Sequence, residues 1–198
     1  MPARCTGWRS WNFYACEVSA AVFERQIDAL ADRSRMVGGK PTSLADLGYA
    51  TVGIDDCWQD CTSPDSFNGS FHDKDGRPLV DAERFPGGGL RALADKGTAK
   101  GIGLGWYGNN CPETHGVGRG LKYCSEHGKL ERDWPAALIG DVAALIAANF
   151  SAVKLDNPNC GGNSDMQAYF DLVNSSAPRP ITIENCHFNT TYPHWIDR

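Results

Sequence analysis

Two acidic clusters carry the residue types and spacing that chemistry would need. In Ala152-Val153-Lys154-Leu155-Asp156 a lysine and an aspartate stand two residues apart, so on a strand they share one side while Leu155 takes the other. An ammonium beside a carboxylate favours the ionised form, which is the form that attacks an anomeric carbon. A plain structural ion pair accounts for the motif alone. The apolar residues before it shift the balance, because charges on a buried strand must be paired or functional. Asp55 and Asp56 close the apolar run Val52-Gly53-Ile54. Carboxylates accept several hydrogen bonds at once and so suit vicinal sugar hydroxyls. The competing explanation, favoured for an isolated acidic pair, is that they open a loop and cap the next element. Trp11, Trp58 and Trp106 offer flat apolar faces for a pyranose ring.

The elements that must position these residues follow from periodicity. Short β-rich runs at 7–13, 49–55, 101–107, 152–156 and 181–185 alternate with helical patterns at 19–35, 90–100, 134–149 and 164–175. The clearest helix is 134–149, where Asp133 can cap, Pro135 suits the first turn, and Leu138, Val142, Leu145 and Ile146 share a face. Gly97 weakens the 90–100 pattern. A βαβα series predicts a parallel sheet with crossover helices, and the polar and aromatic residues gather at the C-terminal strand ends, where barrel enzymes place their active sites. The long segments 59–89 and 109–131 follow strands and would build that face. The expected fold is α/β, a (β/α)8 barrel with its first five β/α units in 1–198 and three strands absent, hence truncated at the C-terminus. A self-contained five-stranded doubly wound sheet is the alternative.

Composition narrows the partners. A net charge of −5 with 19 Lys+Arg and no basic run argues against nucleic acid and anionic membranes, and no stretch is apolar enough to span a bilayer. The expected partner is a small neutral molecule, with no cofactor. Whether the protein is a monomer or a homodimer is left open. The histidines at 72, 115, 127, 187 and 194 form no helical ligand pair, which argues against metal chemistry. The glycines at 101, 103 and 105 lie within a strand and would allow tight packing or close approach of a ligand.

Cys57 and Cys61 are close together, but Cys5, Cys16, Cys111, Cys124, Cys160 and Cys186 are dispersed, which favours disulfides over zinc. Acceptor sequons at Asn68, Asn149, Asn174 and Asn189 add weak support for a secretory route. Residues 1–11 lack a signal-peptide core, so the natural N-terminus is expected upstream.

In order and spacing, Gly7-Trp8-Arg9-Ser10-Trp11-Asn12, then Gly48-Tyr49 leading to Ile54-Asp55-Asp56-Cys57-Trp58, then Lys154-Leu155-Asp156, resemble glycoside hydrolase family 27, the α-galactosidases and α-N-acetylgalactosaminidases. The resemblance implies that Asp156 is the nucleophile, that Lys154, Asp55 and Asp56 grip sugar hydroxyls, and that Tyr107 and Trp11 line the subsite. It implies a Cys16–Cys57 disulfide, a Cys111–Cys160 disulfide flanking the pocket, and a bond from Cys186 to a later cysteine. It further implies secretion or a lysosomal or vacuolar location. Two departures stand out. Cys160 follows Asp156 at a longer spacing than the family's, and His187 occupies the place that reads the substituent at C2 of the sugar, leaving a pentopyranoside or another α-glycoside open.

What the resemblance implies is a retaining α-galactosidase acting by double displacement. The family's acid/base aspartate and neighbouring arginine follow strand six, so the 198 residues alone are expected to be inactive. A non-catalytic galactose-binding protein and an incomplete inactive fragment are the alternatives.

Overall fold

The computed structural model describes residues 7–60, 62–67, 70–109, 116–117, 124–125, 134–156, 166–186 and 195–196. Five parallel strands form the sheet: β1 (Gly7–Arg9), β2 (Thr51–Gly53), β3 (Gly103–Asn109), β4 (Ala152–Asp156) and β5 (Thr182–Cys186). Their order in the sheet is their order in the chain. A doubly wound sheet reverses direction part-way across, whereas a barrel does not, so the doubly wound alternative is excluded. The sheet is also curled. Five flat strands would place β1 about 19 Å from β5, yet the Arg9 guanidinium on β1 meets the Glu184 carboxylate on β5 at 2.6 Å. A sixth strand, β6 (Trp195–Ile196), pairs antiparallel with β5 and has no counterpart in the sequence-based expectations.

Helices α2 (Ala20–Ala31), α3 (Gly89–Ala99), α4 (Trp134–Ala147) and α5 (Met166–Ser176) fill the connections. Their apolar residues, among them Phe23, Ile27, Leu93, Leu145 and Tyr169, join Val52, Leu104, Val153, Leu155 and Ile183 of the strands in one buried core. None of these helices is long and apolar enough to cross a membrane.

Several boundaries differ from expectation for local reasons. The first strand ends at Arg9 rather than residue 13, because Ser10 adopts a helical backbone and α1 (Trp11–Tyr14) begins. The buried Ser10 hydroxyl accepts the Asp55 backbone N–H at 3.1 Å. Helix α2 stops at Ala31, where Asp32 turns extended and its carboxylate takes the Ser34 N–H and hydroxyl. Gly97 does lie inside α3, and packing explains it: a Cβ there would sit 2.7 Å from the Ile102 carbonyl oxygen and collide with Leu104. The Asp133 cap lies outside the described residues.

The segment after β2 is fastened to α4. His72 Nε2 lies 2.8 Å from Asp141 Oδ1, with Ser70 Oγ 3.1 Å from His72 Nδ1, and all three residues are buried.

Candidate active site

The site begins where β2 ends. Ile54 continues the ladder by donating to the Gly105 carbonyl, and Asp55 and Asp56 follow, both buried. The Asp55 Oδ1 atom accepts the Asp56 N–H at 3.0 Å, and Asp56 Oδ1 accepts from Cys57 N–H at 2.7 Å and the Gln59 amide at 3.0 Å. This tight turn carries Cys57 at φ 76°, where its sulfur bonds Cys16, with the two Cα atoms 5.1 Å apart. Arg84 binds the carbonyls of both cysteines, at 2.7 and 3.3 Å, so the start of the first β/α unit is fixed to the end of β2.

On β4, Lys154 and Asp156 point to the side away from Val153 and Leu155. The Lys154 ammonium donates to Asp55 Oδ2 at 3.0 Å and lies 3.2 Å from Asp156 Oδ2. Its third neighbour is the Tyr107 ring, 5.1 Å away at the centroid, a cation–π contact. Burial alone would depress the lysine, but the Asp55 and Asp156 charges hold its pKa above the ordinary value. For Asp56 burial raises the carboxyl pKa; the Cys57 and Gln59 hydrogen bonds oppose the shift, and the charges of Asp55 and Asp156 add to it. The three acids differ in access. The Asp55 side chain is 1% exposed and braces the lysine from below, whereas Asp156 is 22% exposed and is the carboxylate that opens outward.

Of the residues singled out in the sequence, the structure brings Asp55, Asp56, Tyr107, Lys154 and Asp156 together, with Trp11 half-buried on the turn directly after β1. Two tryptophans require correction as sugar platforms. Trp58 is buried against Phe71 and Trp106, with its indole N–H donated to the Tyr107 carbonyl, and Trp106 packs on Phe150 in the core. Cys111, Cys160 and His187 lie outside the described residues, as do Cys5 and Cys61.

The structure also brings Arg9 and Glu184 to the site, with Cys186, which the resemblance had marked only as half of a disulfide. Cys186 pairs in register with Asp156. Burial, then the Asp156 charge, pushes its thiol pKa up, and it is a free cysteine among the described residues. Period-two alternation from Lys154 onto its neighbouring strand was the signal for both Glu184 and Cys186. Among the described residues no cluster of His, Cys, Asp or Glu could hold a metal ion.

Known proteins resemble this chain in sequence and in fold. A family model described as alpha galactosidase A covers residues 3–146. The chain belongs to that family, glycoside hydrolase family 27. This family 27 chain is 30% identical over 171 residues to an alpha-galactosidase of Oryza sativa subsp. japonica, covering 85% of the chain and 33% of that protein. It is 34% identical over 185 residues to an alpha-N-acetylgalactosaminidase of Gallus gallus, covering 88% of the chain and 38% of that protein. The family 27 chain thus spans about a third of the length of these relatives. The structure of an alpha-galactosidase from Saccharomyces cerevisiae with raffinose superposes with a TM-score of 0.67 at 20% identity, over 96% of this chain and 36% of that one, which establishes the shared barrel fold.

Proposed function

We propose that the protein containing these residues is a retaining glycosidase that removes terminal α-linked galactose, with Asp156 as its nucleophile. The observation that carries this reading is the single ammonium of Lys154 shared between the more deeply buried carboxylate of Asp55 and the more accessible one of Asp156, at the C-terminal end of a barrel strand. Asp156 attacks the anomeric carbon and forms a glycosyl ester while a second carboxylic acid protonates the departing oxygen. Water, deprotonated by that second group, then displaces Asp156, and two inversions leave the α configuration retained. The second carboxyl of such a pair stands about 5–5.5 Å from the nucleophile, and in this proposal it comes from outside the described residues. Asp55, Asp56 and Lys154 bind hydroxyls, and Tyr107 and Trp11 line the subsite.

A galacto-configured sugar is supported by the relatives' names, which include both an alpha-galactosidase and an alpha-N-acetylgalactosaminidase. His187 and its neighbours would decide between these substituents at C2. The Cys16–Cys57 disulfide supports an oxidising location, secreted or lysosomal or vacuolar.

The test is to assay the full-length product on the 4-nitrophenyl α-galactoside, α-N-acetylgalactosaminide and β-L-arabinopyranoside beside Asp156→Asn. Release by the parent and its loss in the variant are expected. A folded parent that is silent on all three sinks the proposal.

A further inference from the structure

Below the carboxylates lies an ion pair that the proposed chemistry does not use. Arg9 on β1 extends its guanidinium across the inner side of the sheet. Nη1 donates to the Ile54 carbonyl at 3.0 Å, and Nη2 to Glu184 Oε2 on β5 at 2.6 Å. The path is cleared by small residues: a Cβ on Gly53 would come within 2.9 Å of Arg9 Cζ, and one on Gly105 within 3.8 Å of Nη2. The next residue in that row of the ladder is Ala152, paired with Gly105. The glycines of β2 and β3 therefore admit a side chain of the protein itself.

Both members of this pair sit beside the site and carry charges that would disturb it. Glu184 is the register partner of Lys154 on the adjacent strand and faces the same side. Arg9 Nη1 stands only 3.9 Å from Asp55 Oδ2, the atom that already accepts from Lys154. An unpaired Glu184 would draw the lysine towards β5, and an unpaired Arg9 would close on Asp55, either way pulling apart the Asp55–Lys154–Asp156 arrangement.

We propose that Arg9 and Glu184 are positioning residues whose mutual ion pair reserves Lys154 for Asp55 and Asp156. The inference rests on the proposed role of Asp156. It differs from a plain stabilising ion pair in what each substitution does: the harm comes from the charge left behind, so removing the second charge repairs it.

The experiment compares Arg9→Met, Glu184→Gln and the double variant R9M/E184Q in the full-length protein, by kcat and KM across pH and by crystal structure. In Arg9→Met, Lys154 Nζ should leave Asp55 for Glu184. In the nearly isosteric Glu184→Gln, Arg9 should contact Asp55 directly. Either shift should cut kcat by about tenfold to a hundredfold and move the pH profile, with KM changed less. The double variant should regain the Asp55 contact and most of kcat. If the variants lose only thermal stability, with Lys154 still on Asp55 and the kcat and pH profile of the parent, the proposal is overturned. Should the parent hydrolyse no glycoside, the glycosidase reading fails separately. The position of Lys154 in the two single variants then decides the positioning claim alone, displacement supporting it and an unmoved lysine overturning it.

Discussion

Lys154 Nζ lies 3.0 Å from Asp55 Oδ2, an ion pair between residues 99 apart in sequence and on strands separated by a third. With Asp55 1% exposed, the pair is effectively out of water, so its loss is expensive in one direction. Lys154→Met takes from the buried Asp55 carboxylate its nearest cation, leaving Arg9 at 3.9 Å, and should cost up to about 3–5 kcal/mol, read as a lower urea midpoint at pH 7. Because the folded-state lysine pKa is raised above 10.5, its contribution is complete below that pH and is lost as pH climbs through the raised value. Melting curves of the parent should therefore fall above pH 10.5 more steeply than those of the variant. Coincident curves would refute the assignment.

Asp56 has the same sign at lower pH, but for a different reason, since burial disfavours its charged form. Its folded-state pKa is raised above 3.8, so the native state holds the proton more tightly than the unfolded chain, and stability declines as pH rises between the two values. Asp56→Asn removes that penalty while keeping an oxygen for Cys57 and Gln59. The variant should be more stable than the parent at pH 7, with a flatter stability profile between pH 4 and 7, yet bind galactose more weakly. Equal midpoints at both pH values would show that the burial cost is already offset.

Gly97 gives a test of packing against propensity. Alanine in a helix interior ordinarily gains about 1 kcal/mol over glycine. Here the added methyl meets Ile102 and Leu104, so Gly97→Ala should instead destabilise by about 1–3 kcal/mol. A higher unfolding midpoint would mean that α3 and β3 can separate without cost.

His72→Leu removes the ring that meets Asp141 at 2.8 Å and leaves that buried carboxylate without it. The expected loss is about 1–3 kcal/mol, with faster hydrogen exchange in residues 70–80 and along α4. Unchanged exchange there would show that the segment is held by its other contacts.

What could be seen in the sequence depends on the range of the contacts involved. The strand 152–156 was legible with its boundaries, because ionic and apolar residues alternate within a five-residue run and each face has its own solvent. The early end of β1 was not: Ser10 is turned by a bond to Asp55, 45 residues away, which no local pattern announces. Trp106 and Tyr107 are adjacent, so alternation allows only one to face the site, and the core claimed the tryptophan. Arg9 and Glu184 are 175 residues apart, and only a curled sheet brings them together.

Because each strand pairs with the one made just before it, the residues of the site are synthesised in their order across the sheet. After Trp11 come Asp55 and Asp56, Tyr107 follows on the next strand, and Lys154 arrives two residues ahead of Asp156 on the strand after that. The ammonium that relieves the buried Asp55 is thus tethered to the proposed nucleophile. Docking of β4 therefore gives the buried Asp55 its nearest cation and mounts Asp156 in one step, before β5 brings Glu184 to Arg9.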